Sequence, residues 1–84
     1  MIINPYDKAK LEKQFPNASF KAIENDYETG KTYFSGYWHE YFTVIDIKRN
    51  MPVWETVYVI KWENGKVSSH ATKSDHKHDF QIIY

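Results

Sequence analysis

The run Val53-Trp54-Glu55-Thr56-Val57-Tyr58-Val59-Ile60-Lys61-Trp62 is the longest stretch of strand formers in the chain, and Asn64-Gly65 follows it closely. β-Branched and aromatic side chains suit a pleated sheet. Asn-Gly is the dipeptide that most readily takes the positive φ angles of a tight hairpin turn. Together they predict an antiparallel hairpin continuing into Lys66-Val67-Ser68-Ser69-His70. Alternation places Trp54, Tyr58, Ile60 and Trp62 on one face of the first strand and Val53, Val57 and Val59 on the other. Both faces are substantially apolar, so both call for cover, as in a central strand of a closed barrel that also carries a helix or a binding surface.

Tyr41-Phe42-Thr43-Val44-Ile45-Asp46-Ile47 predicts another strand, with Lys48-Arg49-Asn50 opening the turn after it, and Phe80-Gln81-Ile82-Ile83 predicts a closing one. Phe20-Lys21-Ala22-Ile23 reads as a short strand and Thr29-Gly30-Lys31 as a turn. Thr32 to Tyr37 reads as a second short strand, with a bulge or bend expected at Ser35-Gly36. Ahead of all of these, residues 4–15 predict a helix. Asn4 suits the N-cap, Pro5 the first helical position and Asp7 the first turn, Leu11 and Phe15 share a face, and Pro16 stops it. Three turns do not persist alone in water, so this helix must pack on the sheet. The expected fold is mainly β (α+β): a single domain over 1–84, with an N-terminal helix in 1–16 and five to six antiparallel strands in 17–84. Small bent sheets tend to close and so remove their edges. An SH3-like barrel is therefore the first expectation, and an open bent sheet with one packed helix the second.

Composition bounds the function. With 84 residues and no cysteine, disulfide scaffolds, thiolate zinc sites, iron–sulfur clusters and cysteine nucleophiles are excluded. Surface scaling has folding hide roughly 64% of the unfolded surface, enough for one modest core and not for two lobes around a cleft. Lys+Arg and Asp+Glu are both 11, so no global charge draws the chain to nucleic acid or anionic lipid. A basic n-region with a long apolar run is missing from the start, and no stretch approaches a membrane span, so a cytoplasmic protein is expected. Lys outnumbers Arg ten to one beside eight Ile and seven Tyr. That bias fits A+T-rich coding DNA of the kind common in phages and other mobile elements.

The segment Phe42-Thr43-Val44-Ile45-Asp46-Ile47, with Val57-Tyr58-Val59-Ile60-Lys61-Trp62-Glu63-Asn64-Gly65 after the turn, resembles the first hairpin of chromodomain-type SH3-like barrels. A Lys-Trp-x-x-Gly hairpin also recurs in Tudor- and KOW-like barrels. The resemblance covers about a quarter of the chain. It implies the barrel fold and a methyl-lysine reader in which Phe42 and Trp62 wall an aromatic cage. The aromatic that usually follows the glycine, the Trp-Glu-Pro segment and the C-terminal helix of that family have no counterpart here.

Six of the ten residues from Tyr33 to Phe42 are aromatic. Strand alternation sends them to both faces, more than one small core accommodates. One reading is that bulky rings compensate for a small core. The functional reading makes Tyr33, Tyr37, Trp38, Tyr41 and Phe42, with Trp54 or Trp62, an interface patch for a protein partner. The alternative is a platform for stacking nucleobases, served by Lys48-Arg49, Lys61, Lys66, Lys73 and Lys77 if these converge. Glu40 and the acids of 24–28 lie near the rings and oppose that alternative. His70, His76 and His78 are weak candidate metal ligands, more simply read as parts of a solvated loop, and no cofactor is expected. Ser68 and His70 pair a hydroxyl with an imidazole, and Glu40, Asp46 and Glu55 are carboxylates read either as sharing a pocket or as exposed strand positions, but no phosphate loop or hydrolase motif accompanies them. The expectation is a non-enzymatic protein-binding module, with a host-directed inhibitor or regulator fitting a mobile-element gene, and with self-association open through a strand edge or the aromatic patch.

Overall fold

A computed structural model describes residues 3–23, 26–50, 52–53, 56–70 and 79–84. Helix α1 spans Pro5–Gln14, and six strands follow: β1 (Ser19–Ala22), β2 (Thr32–Ser35), β3 (Glu40–Arg49), β4 (Thr56–Trp62), β5 (Val67–His70) and β6 (Asp79–Ile83). The helix begins as its residues dictate. The Asn4 side chain accepts the Tyr6 N–H at 2.8 Å, which satisfies one of the free donors of the first turn, and Pro5 occupies a position that needs no donor.

All the strand pairs are antiparallel, in the order β1-β6-β2-β3-β4-β5. The mainly β fold with an N-terminal helix is therefore present, and of its two forms the open bent sheet is the one adopted. β1 and β5 remain as separate edges, each four residues long. The reason lies in what fills the two faces. α1 covers one: Leu11 is fully buried among Phe34, Phe80 and Ile82, with Phe15, Phe20 and Tyr41 around them. The segment leading to β2 covers the other: Tyr27 lies over Tyr33, Phe42, Val44, Tyr58 and Ile60, with Ile23, Ile47 and Trp62 at the margin. A chain segment laid across the concave face supplies the cover that strand closure would otherwise give. Every residue of β2 is buried in consequence, since it lies beneath both covers.

The expected irregularity at Ser35-Gly36 is the end of β2, where the chain turns. The bulge lies in β3 instead, where the pairing with β4 skips Ile45 between Val44 and Asp46. The extra residue lets Val44 and Ile47 both reach the concave core and leaves Ile45 exposed. Asn64-Gly65 forms its turn, with Gly65 at φ 87° and the Trp62 N–H donating to the Lys66 carbonyl at 2.8 Å. No helix among the described residues is long and apolar enough to cross a membrane.

Candidate functional site

The turn between β2 and β3 is held from beneath. The Trp38 N–H donates to Ser35 Oγ at 3.2 Å and the His39 N–H to the Ser35 carbonyl at 2.8 Å. His39 sits in the left-handed region at φ 58°. α1 ties the same turn from the side: Asp7 Oδ2 lies 2.8 Å from His39 Nδ1, and Lys10 donates to the His39 carbonyl at 3.0 Å and to Glu63 Oε1 at 2.6 Å. This turn carries Tyr37 and Trp38, whose rings meet edge to face at 5.1 Å while remaining 65% and 60% exposed. Two large rings are thus displayed to solvent on a braced backbone.

Beside them the concave face opens into a cleft of about 340 Å³ lined by Trp38, Glu40, Trp62, Asn64, Lys66 and His70. Trp62 forms the boundary with the core, its ring 5.2 Å from Phe42. Its indole N–H donates to Ser68 Oγ at 2.8 Å, and that hydroxyl lies 2.8 Å from His70 Nε2. Ser68 and His70, two apart on a strand, do share a face, and there they brace Trp62. Glu40, half-buried at the start of β3, has no cationic partner among the described residues.

The residues singled out from the sequence therefore divide. Tyr37, Trp38 and Trp62 come together at the cleft and the turn beside it. Tyr33 and Phe42 are 1% and 0% exposed, and neither presents a surface to a partner. Phe42 accordingly forms no wall of a cage; it is the floor on which Trp62 rests. Tyr41 is half-buried on the helix side, 5.2 Å from the Phe15 ring. Trp54, His76 and His78, with Glu55, Lys73 and Lys77, lie outside the described residues. Among the described residues no group of three metal-ligating side chains converges. The remaining bases do not share one face. Register puts Lys48 and Lys61, paired with Val57 and Thr43, on the face opposite the Tyr27 cluster, whereas Arg49 reaches Asp26 at 3.8 Å and Lys66 lines the cleft.

Tyr27 is the residue that sequence reasoning missed. It sits in an acidic stretch with no strand pattern, so only its bulk and aromatic character marked it. Its ring meets Tyr33 at 4.8 Å and Tyr58 at 5.6 Å, both edge to face, and its hydroxyl donates to the buried Asp79 at 2.5 Å. Tyr58 donates to Asp26 Oδ1 at 2.7 Å, and Tyr33 accepts the Glu28 N–H at 2.8 Å. Burial first, and then the hydrogen bond to Asp26 and its negative charge, push the Tyr58 phenol from 10.0 up to about 12, with Arg49 opposing. Burial likewise raises Tyr33. These phenols anchor the segment over that face of the sheet, and none of them lines the cleft. No protein-family model, curated protein or solved structure matches this chain.

Proposed function

We propose that this chain is a non-enzymatic protein-binding module whose contact surface is the Tyr37-Trp38 turn with the adjoining Trp62 cleft. The observation that carries the reading is the pair of exposed rings on a turn pinned by Ser35, Asp7 and Lys10. Tyr and Trp at braced positions supply large contact area at little further entropic cost, and these residue types dominate binding hot spots. Glu40 in the cleft disfavours an approaching phosphate, which weighs against a nucleobase platform. With its mobile-element-like composition, the chain fits an accessory protein that modulates a host protein.

The test is capture from a lysate of source-like cells by the immobilised full chain and by Trp38→Ala, with nuclease, at low and moderate salt. A stoichiometric protein held by the parent chain and lost by the variant supports the reading. Capture unaffected by the substitution, or recovery of nucleic acid that collapses as salt rises, overturns it.

A further inference from the structure

The cleft carries a chemical signature more specific than aromatic exposure. Two indoles line it, and the N–H of Trp62 is already committed to Ser68. A ligand in contact with that ring therefore meets aromatic surface rather than a free donor. Glu40 adds a half-buried carboxylate that is in no ion pair among the described residues, with Lys66 and His70 also lining the cleft. An apolar side chain seated there would desolvate that charge without compensation, and a phosphate or carboxylate would be repelled. A cation suits the carboxylate and an aromatic lining together. The volume, about 340 Å³, lies at the small end of ligand sites and suits one inserted side chain.

Among cations, the guanidinium fits best. It is planar, so it stacks flat on an indole while its edge presents paired N–H donors to a carboxylate, and it is less strongly hydrated than an ammonium. We propose that the Trp38–Trp62 cleft is a socket for an arginine side chain presented by the partner, with Glu40 as its counter-charge. The proposal rests on the protein-binding reading and names the partner's chemistry at that site. Lys66, exposed at the rim of the same cleft, acts as a competing cation. Its presence makes the assignment testable by sign: removing Glu40's charge and removing Lys66's charge should move arginine affinity in opposite directions.

The experiment follows the tryptophan indole N–H resonances of the full chain while N-acetyl-arginine methylamide is added. The lysine, trimethyl-lysine and norleucine analogues are titrated in parallel. The expected result is saturable movement of the Trp38 and Trp62 signals with the arginine compound, and weaker response to the other three. Glu40→Gln should weaken that binding about tenfold, the loss of one charge-assisted contact, and Lys66→Gln should strengthen it about twofold to threefold. Both variants are checked for an unchanged backbone amide spectrum. An equal or stronger response to trimethyl-lysine, lysine or norleucine overturns the proposal, as does indifference to Glu40→Gln. Partner capture that depends on Trp38 while the arginine compound leaves the indoles unmoved sinks the socket and spares the protein-binding reading. Arginine binding without any Trp38-dependent capture does the reverse.

Discussion

Asp7 Oδ2 and His39 Nδ1 lie 2.8 Å apart, thirty-two residues distant in sequence, and the contact couples the first turn of the helix to the loop that displays Trp38. His39 holds a left-handed backbone that a non-glycine residue adopts only when its surroundings enforce it. α1 thus both covers the core and restrains the aromatic turn.

Asp7→Ala should separate these roles. The pair is partly exposed, so global stability should fall by no more than about 1 kcal/mol. The amides of Trp38 and His39 should exchange with solvent about fivefold faster as local opening becomes easier by a similar amount. Hydrogen exchange read residue by residue checks this; unchanged protection of those two amides would show that Ser35 and Lys10 hold the turn without Asp7.

Trp38→Ala and Phe42→Ala should behave as opposites. Trp38 is mostly exposed, and its loss should change stability by less than about 0.5 kcal/mol while abolishing partner capture. Phe42 is fully buried, and its truncation should cost about 3–5 kcal/mol. Denaturant unfolding of the two variants distinguishes them, and cooperative unfolding lost in Trp38→Ala would move that residue into the structural core.

Alkaline pH should destabilise the fold through its buried phenols. With the Tyr58 pKa raised from 10.0 to about 12, both states are neutral below pH 10, so its contribution is intact there. Between about pH 10 and 12 the unfolded chain ionises and the folded one does not. Stability then falls at roughly 1.4 kcal/mol per pH unit for each such tyrosine. Tyr33 shifts in the same direction. Tyr58→Phe should flatten part of this slope while costing about 1 kcal/mol at neutral pH for the lost bond to Asp26. Chemical denaturation across pH 8–12 gives both slopes.

Leu11→Ala should cost about 2–5 kcal/mol, because the side chain is fully buried against Phe34, Phe80 and Ile82. In a domain of this size that lowers Tm by more than about 10 °C. Removing residues 1–15 should be at least as damaging. An unchanged thermal midpoint in either case would mark α1 as a detachable arm.

Local chemistry was readable in advance. Asn4, Pro5 and Pro16 bound a helix expected over 4–15 and found at Pro5–Gln14, and Asn64-Gly65 marks a turn that forms where it stands. The parts that escaped depend on distance along the chain. No local pattern announces that β6 enters between β1 and β2, or that Tyr27 caps the concave face. Once Tyr27 and Leu11 occupy opposite sides, the partition of the ring-rich stretch follows. Tyr33, Phe34 and Phe42 have a cover above them, and Tyr37 and Trp38 fall in the turn beyond it. The aromatic character of Trp38 and Trp62 is visible in the sequence, whereas no local pattern brings Glu40 into one cleft with Trp62, twenty-two residues away.

The position of β6 governs which seams of the sheet are costly to close. Among the described residues β1 pairs with β6 alone, and β2 has β6 as one of its two neighbours beside β3, so the pairing of both is completed only by residues 79–83. Phe80 and Ile82 supply half of the four buried side chains in the cluster that α1 covers, so Leu11 and Phe34 lack part of their cover until β6 docks. Such long-range pairing is slow to nucleate. The sheet thus has two kinds of seam: β2 to β5 join strands that are consecutive in sequence, whereas the seams on either side of β6 join segments far apart and are the costly ones to close.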